Sequence, residues 1–402
     1  MVVKDRSPPK IRNSANMEER FDPRFPSIER LRERTARRLP GFVLDYLEGG
    51  CNSEINLRRN TDEIREVRLM PRYLGEFAGA DLRTELFGQT YEAPFGVAPI
   101  GLQGLIWPRS TEILAAAATA HGVPFILSTV ATASIETVAE ITGGKAWFQL
   151  YHPVEEELRN RILDRVEAAG LPVLVILADT PVFGYRPREI RNGLAMPPRM
   201  TLRNIVQMCL RPRWAFTQLG AGVPEFATLK PYLPDGLDMK HLGLFMNRTF
   251  SGRLNPARLA SLRDRWKGKL VIKGLVNESD VETALSIGVD GIIVSNHGGR
   301  QLDPGESTIA PLTRLARTFG DRTTLMLDSG LRSGPDIACA LASGARFGFL
   351  GRSFMYGVSA LGEAGGDHTM TMLKRQLRQV MEQLACERTN DFPKHLATGR
   401  EP

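Results

Sequence analysis

The chain has 402 residues, 42% of them hydrophobic, and a formal charge of +7, enough apolar material for one large α/β barrel or two smaller domains. No uncharged apolar run reaches the ~18 residues of a membrane span, and MVVKDRSPPKIRNSANMEERFDPRF lacks a secretory core, so a cytoplasmic protein is expected. Cys51, Cys209, Cys339 and Cys386 are too scattered for a disulfide framework or a C-x-x-C metal site, and the positive charge favours an acidic partner without any finger or RNP motif for nucleic acid.

Residues 1–26 read as a basic, proline-containing tail, and 27–47 as one or two helices capped by Ser27. Apolar runs of strand length follow at 94–100, 123–129, 145–151, 172–179, 269–274, 291–296, 323–329 and 345–351. Segments such as TEILAAAATAHG, EEELRNRILDRVEAAG, ESDVETALSIG and SGPDIACALASG separate them, with apolar residues at helical spacing and glycine as the stop. Near-continuous apolar strands alternating with helices predict a parallel sheet covered by helices. Eight such units most simply close into a (β/α)8 TIM barrel. An open doubly wound sheet is the alternative, but no G-x-G-x-x-G follows the first strand. The barrel domain is expected over 27–390, with an N-terminal helical extension, a C-terminal tail at 391–402 and a long loop excursion at 180–250 after strand four. Loops of that length usually carry function.

The carboxyl ends of the strands, where barrel enzymes keep their chemistry, are polar one after another. Gln149 and Tyr151 follow strand three, Asp179 follows four, Lys273 ends five, His297 and Arg300 follow six, Asp328 follows seven and Arg352 follows eight. One strand-end histidine is as easily a satisfied structural residue as a catalyst. Six polar strand ends facing one mouth predict an active site. DSGLRSG at 328–334 and GRS at 351–353 add glycine turns with Arg332 and Arg352 after strands seven and eight. Barrels often bind phosphate there, so a phosphorylated cofactor or substrate is expected, although such glycines also make plain tight turns.

These residues resemble the FMN-dependent 2-hydroxy-acid dehydrogenases and oxidases. SNHGGRQLD at 295–303 matches that family's signature, and QLY, VIKG, the D-S-G-x-R turn and GR stand in its order. GLQGLIWP and LRPRWAFTQLGAGVP look closest to its membrane-associated mandelate dehydrogenase branch. The resemblance implies FMN as cofactor and oxidation of an L- or (S)-2-hydroxy acid to the 2-oxo acid. It makes His297 the base, Asp179 its partner, Arg300 and Arg186 the clamp on the substrate carboxylate, and Tyr46 and Tyr151 hydrogen-bonding groups on carboxylate and hydroxyl. Lys273 falls at the N1/O2 edge of the flavin. Pro99, Ile100, Gly101, Ser128, Gln149 and Ser295 match flavin contacts, and Asp328, Gly330, Arg332, Gly351 and Arg352 match ribityl and phosphate contacts. The bare backbone of Gly298 and Gly299 is expected to let substrate and flavin approach closely.

Leu177 stands where glycolate oxidase has a flavin-bonding threonine, and Gly101 where it has alanine, as in the mandelate dehydrogenase branch. The glycine leans toward a dehydrogenase, expected to pass electrons to a quinone or another non-oxygen acceptor, with an O2-using oxidase as the rival within the class. A Schiff-base role for Lys273 and a non-enzymatic flavin- or anion-binding barrel are the alternatives outside it. The family resemblance implies a homo-oligomer, a tetramer in relatives. From Arg186 to Arg248 ten Lys or Arg oppose four Asp or Glu. With the apolar residues of TLRNIVQMCLRPRWAFTQLG, this suggests peripheral docking on the inner face of an anionic membrane, against the alternatives of a mouth cover or an oligomer interface.

Overall fold

The computed structural model describes residues 21–194, 199–233, 245, 249–250 and 252–397. Eight parallel strands carry the fold: β1 (Phe95–Val97), β2 (Ile126–Ser128), β3 (Trp147–Leu150), β4 (Val173–Leu177), β5 (Lys269–Lys273), β6 (Gly291–Val294), β7 (Thr324–Leu327) and β8 (Phe347–Leu350). They pair in the order β1-β8-β7-β6-β5-β4-β3-β2. A single parallel bridge, Val97 with Phe125, joins the two ends, so the sheet closes as a barrel. Helices fill the connections where the glycine-stopped segments predicted them, among them Ser110–Ala120, Glu156–Ala168, Glu278–Ile287 and Gly334–Ala342.

Alternating strand residues divide the core in two. Ile126, Trp147, Val173, Val175, Val271, Ile293, Met326, Phe347 and Phe349 pack against one another inside the barrel. The other face meets the helices in a larger apolar layer. A two-stranded hairpin, Thr84–Leu86 with Gln89–Tyr91, caps the amino-terminal end of the barrel. Its Phe87 and Tyr91 rings lie 5.7 and 5.8 Å from those of Trp147 and Phe347. That plug closes the barrel interior at this end.

The extension consists of α1 (Ile28–Arg38), capped by the Ser27 side chain, α2 (Gly41–Glu48) and α3 (Ile55–Glu66). The third helix escapes apolar periodicity for a physical reason. Its buried face is Asn56, Asn60 and Ile64, so two of its three inward positions are amides. Both termini are less loose than the sequence suggests. Within the expected N-terminal tail, Phe21 stacks on His368 at 5.0 Å and the Phe25 carbonyl meets its Nε2 at 2.9 Å. Within the expected C-terminal tail, a 3-10 turn runs through Thr389–His395 and buries Phe392 fully. Residues 1–20 and 398–402 lie outside the described residues.

The excursion after β4 is largely helical where described, with helices at Pro187–Arg191, Leu202–Cys209 and Pro212–Ala221. It is pinned by polar contacts to the extension and to the segment after β1. Gln207 accepts from the Phe42 amide at 2.8 Å, Arg211 donates to the Leu39 carbonyl at 3.2 Å, and Trp214 Nε1 donates to the Ile106 carbonyl at 3.0 Å.

Candidate active site

A cavity of about 490 Å³ opens at the carboxyl ends of the strands. Of the side chains expected in the site, all but Asp179 and Ser295 line it. Those two stand directly behind the wall and hold it in place.

The loop after β6 is built around an unfavourable backbone. His297 has φ +59, in the left-handed region that costs a non-glycine residue about 1–3 kcal/mol. Ser295 Oγ accepts from the His297 amide at 3.0 Å, and Ser329 Oγ, itself on a residue with φ +71, accepts from the Gly298 amide at 2.8 Å. Asn296 ties the same loop to α3. Its Nδ2 donates to Asn60 Oδ1 at 2.6 Å and Asn56 Oδ1 at 3.0 Å, while its Oδ1 accepts from Asn60 Nδ2 at 2.8 Å and the Gly299 amide at 3.1 Å. Asp303, at the end of the signature, accepts from the amides of Ser53 and Asn56 at the start of α3.

This corrects the expectation for one of the two glycines, Gly299. Both have positive φ, +68 and +74, but protein occupies the space a side chain would need. A Cβ on Gly299 would stand 2.6 Å from the Leu57 backbone, and one on Gly298 would stand 2.9 Å from Arg352 Nη1. Gly298 does face the cavity. The bareness of Gly299 instead serves the docking of α3.

His297 Nδ1 lies 3.1 Å from Asp179 Oδ1, which also accepts from Thr180 Oγ1 at 3.0 Å. Burial pushes the Asp179 carboxyl up, but Lys273 and His297 outweigh it and hold it well below the usual carboxylate range. An ionised Asp179 requires the proton on Nδ1. Nε2 is then left with its lone pair, 3.5 Å from the Tyr151 hydroxyl. Burial also lowers the His297 pKa despite Asp179, which favours the neutral ring.

Lys273 lies between Asp328 Oδ2 at 3.2 Å and Asp179 Oδ2 at 3.6 Å and donates to Ser295 Oγ at 2.7 Å. Burial works against its charge, but the two carboxylates prevail and raise its pKa. A Schiff-base lysine needs a neutral amine, so this geometry opposes that alternative. Ser295, expected against the flavin, braces Lys273 and His297 from behind.

Arg300 donates Nη1 to the carbonyls of Tyr46 and Gly49 at 2.9 and 2.8 Å, lies over the Tyr46 ring at 5.2 Å, and pairs through Nη2 with Glu189. Arg186 reaches the other oxygen of Glu189 at 3.4 Å. Glu189, only 7% exposed, was not identified from the sequence. The R-x-x-E spacing in YRPREI was the available signal. The Tyr46 hydroxyl donates to the Gly101 carbonyl at 3.3 Å.

The rest of the wall fits a flavin mononucleotide. Gln149 accepts from Ser128 Oγ at 2.8 Å, and its buried Nε2 has no partner. An orphaned donor of this kind suits an acceptor edge of a planar ring. Leu177 is buried in the same wall and offers no hydrogen bond to a ring. Pro99, Ile100 and Gly101 run along the cavity after β1. At the far end Arg332 and Arg352 have no ion-pair partner among the described residues. Arg332 donates to its neighbour's carbonyl, and Arg352 to the carbonyls of Leu47, Gly298 and Gly49. Burial and the adjacent Arg332 and Arg300 bring the Arg352 pKa down to about 9. The helix Arg352–Leu361 starts beside them at Gly351 without a capping side chain. Two partly buried guanidiniums and an uncapped helix start form a site for a dianionic phosphate. Gly330, with φ +99, brings the turn so close to α3 that a Cβ would lie 2.4 Å from the Asn60 carbonyl.

Comparison with known proteins agrees with this chemistry. Residues 35–398 match the model of the FMN-dependent dehydrogenases. The chain is similar to (S)-mandelate dehydrogenase of Pseudomonas putida, 36% identical over 361 residues covering 90% of each chain. It is similar to L-lactate dehydrogenase of Alcaligenes faecalis, 35% identical over 374 residues covering 92% of this chain and 98% of that one. Among solved structures, the monotopic membrane protein (S)-mandelate dehydrogenase superposes with a TM-score of 0.87 at 34% identity, covering 93% of this chain and 99% of the other. A mandelate oxidase superposes with a TM-score of 0.78 at 28% identity, covering 92% and 97%. The chain belongs to the FMN-dependent dehydrogenase family and is an FMN-dependent 2-hydroxy-acid dehydrogenase of the lactate and mandelate dehydrogenase type.

Proposed function

We propose that this enzyme oxidises an (S)-2-hydroxy acid with a bulky apolar side chain to the 2-oxo acid and delivers the electrons to a quinone at a membrane surface. The observation that carries the reading is the convergence of a carboxylate-backed base, His297, with two guanidiniums, Arg186 and Arg300, on one cavity whose remaining wall suits FMN. Bound FMN would supply the two-electron acceptor. Arg186 and Arg300 hold the substrate carboxylate, and Tyr46 and Tyr151 lie where they can bond its oxygens. His297 Nε2 takes a proton from the substrate, and Asp179 stabilises the imidazolium that results. Lys273, held charged by Asp179 and Asp328, would stabilise negative charge on the reduced cofactor. Leu102, Ile106, Val130, Phe183, Leu194 and Phe226 also line the cavity, which supports an apolar side chain on the substrate.

The membrane part of the reading rests on helices whose polarity is inverted. Leu202–Cys209 and Pro212–Ala221 turn Asn204, Gln207 and Trp214 toward the protein and leave Leu202, Ile205, Val206, Leu210, Phe216 and Leu219 exposed at 46–77%. Arg203, Arg211 and Arg213 stand among them. An apolar face with basic residues suits the headgroup layer of an anionic bilayer. No helix among the described residues is long and apolar enough to cross a membrane.

Anaerobic bleaching of the flavin tests the reading. (S)-Mandelate and (S)-phenyllactate are expected to reduce it faster than glycolate or lactate, and a soluble quinone to reoxidise it faster than air. A flavin that none of these acids reduces overturns the assignment, and rapid reoxidation by air promotes the oxidase. Replacing Leu202, Ile205, Val206, Phe216 and Leu219 by serine should abolish sedimentation with phosphatidylglycerol vesicles and leave bleaching intact. Unchanged sedimentation removes the membrane role from this face.

A further inference from the structure

The two clamp arginines share one buried carboxylate. Glu189 lies on the helix Pro187–Arg191, three residues after Arg186, and its side chain is 10% exposed. One of its oxygens pairs with Arg300 Nη2 and the other with Arg186 Nη1 at 3.4 Å. The helix is anchored on the opposite side by Arg188 to Glu54 and Asp45 and by Arg191 to Asp45, so Glu189 is held in place by elements beyond the clamp. Two guanidiniums this close repel each other, and the repulsion from Arg186 adds to burial in lowering the Arg300 pKa. Glu189 offsets that repulsion without using up the donors. A guanidinium has five N–H groups. Arg300 commits three, to Tyr46, Gly49 and Glu189, and Arg186 commits three, to the Arg300 carbonyl, Glu189 and Gln301. Each keeps free donors for an incoming carboxylate.

We propose that Glu189 is a specificity-determining residue that sets the charge of the substrate clamp: it leaves two guanidiniums with a net charge of one, matched to a monocarboxylate and biased against a dicarboxylate. The inference rests on the clamp assignment made above. Of the nearby charges, Lys273 faces two carboxylates, Asp179 and Asp328, and Arg352, which shares the Gly49 carbonyl with Arg300, would be neutralised together with Arg332 by the cofactor's phosphate in the holoenzyme. A second carboxylate on the ligand would meet Glu189 across a site already neutralised to one charge. An unneutralised pair of arginines would welcome it.

The test is a titration of the holoenzyme's flavin absorbance with phenylacetate and phenylmalonate, which differ by one carboxylate. Wild-type protein is expected to bind phenylacetate at least about tenfold more tightly than phenylmalonate, given the Coulomb energy of like charges within a few ångströms. E189Q should shift that ratio about tenfold toward phenylmalonate, whereas E189D, which keeps the charge, should hold it near the wild-type value. A merely structural role would weaken both ligands together and leave the ratio unmoved, and that result overturns the proposal. The wild-type comparison stands without any variant: phenylmalonate binding as tightly as phenylacetate also overturns it. If neither ligand perturbs the flavin, the clamp assignment itself has failed.

Discussion

The two ends of the cavity treat charge in opposite ways. At the end formed by β4, β5 and β6, every basic group has a carboxylate: Lys273 has Asp179 and Asp328, His297 has Asp179, and Arg300 and Arg186 have Glu189. At the end formed after β7 and β8, Arg332 and Arg352 are partly buried with main-chain carbonyls alone as side-chain partners. Breaking a buried pair costs several kcal/mol, whereas an unpaired buried cation gains from any anion that reaches it. A ligand that arrives and leaves at each turnover is best met by groups already satisfied. A resident phosphate is best met by groups that need it.

If that contrast is right, substitutions at the first end change the reaction while the cofactor stays, and substitutions at the second change cofactor retention while the chemistry stays. The largest effect is expected for H297Q, which should hold FMN and reduce it about 10³-fold more slowly in stopped-flow mixing with substrate. Reduction within about tenfold of wild type removes His297 as base. D179N should slow reduction by about 10²-fold. It should also shift the pH profile in a defined direction. The rate rises with pH as His297 loses its proton, and Asp179 raises the His297 pKa against the depression caused by burial. Removing that carboxylate lowers the pKa further, so the acid limb should move to lower pH. A limb that moves up places the titration elsewhere.

R332M belongs to the other end. It should raise the Kd for FMN about 10–100-fold, read by flavin loss on gel filtration, with near-normal reduction once FMN saturates. A slow reduction step at saturating FMN erases the distinction between the ends. The smallest effect is expected for N60A, which sits behind both. Asn60 holds Asn296 beside His297, and its own carbonyl abuts Gly330 in the phosphate turn. Loss of its amide should cost about 1–3 kcal/mol in denaturant unfolding and slow reduction modestly, by about tenfold or less. A variant as stable as wild type shows that the asparagine cluster does not hold the loop.

The alternation of apolar strands with glycine-stopped helices determined the barrel, because that pattern follows local periodicity and hydrogen-bond geometry. The polar residue at each strand end located the site for the same reason, since a strand fixes where its last side chain points. His297, Arg300, Lys273 and Arg352 were therefore legible one by one in the sequence. Their supports were not. Asn56, Asn60 and Asn296 meet across some 240 residues of chain, and a helix that buries amides has no apolar stripe to betray it. Gly299 read as a place for ligand, yet its missing Cβ makes room for α3, a helix with no local signal. Glu189 resembled any charged residue in a basic loop until the fold set it between two arginines. Local sequence determined which groups stand at the mouth. Only the tertiary structure decided which are neutralised and which are left bare, because pairing between charges depends on distances that chain order does not contain.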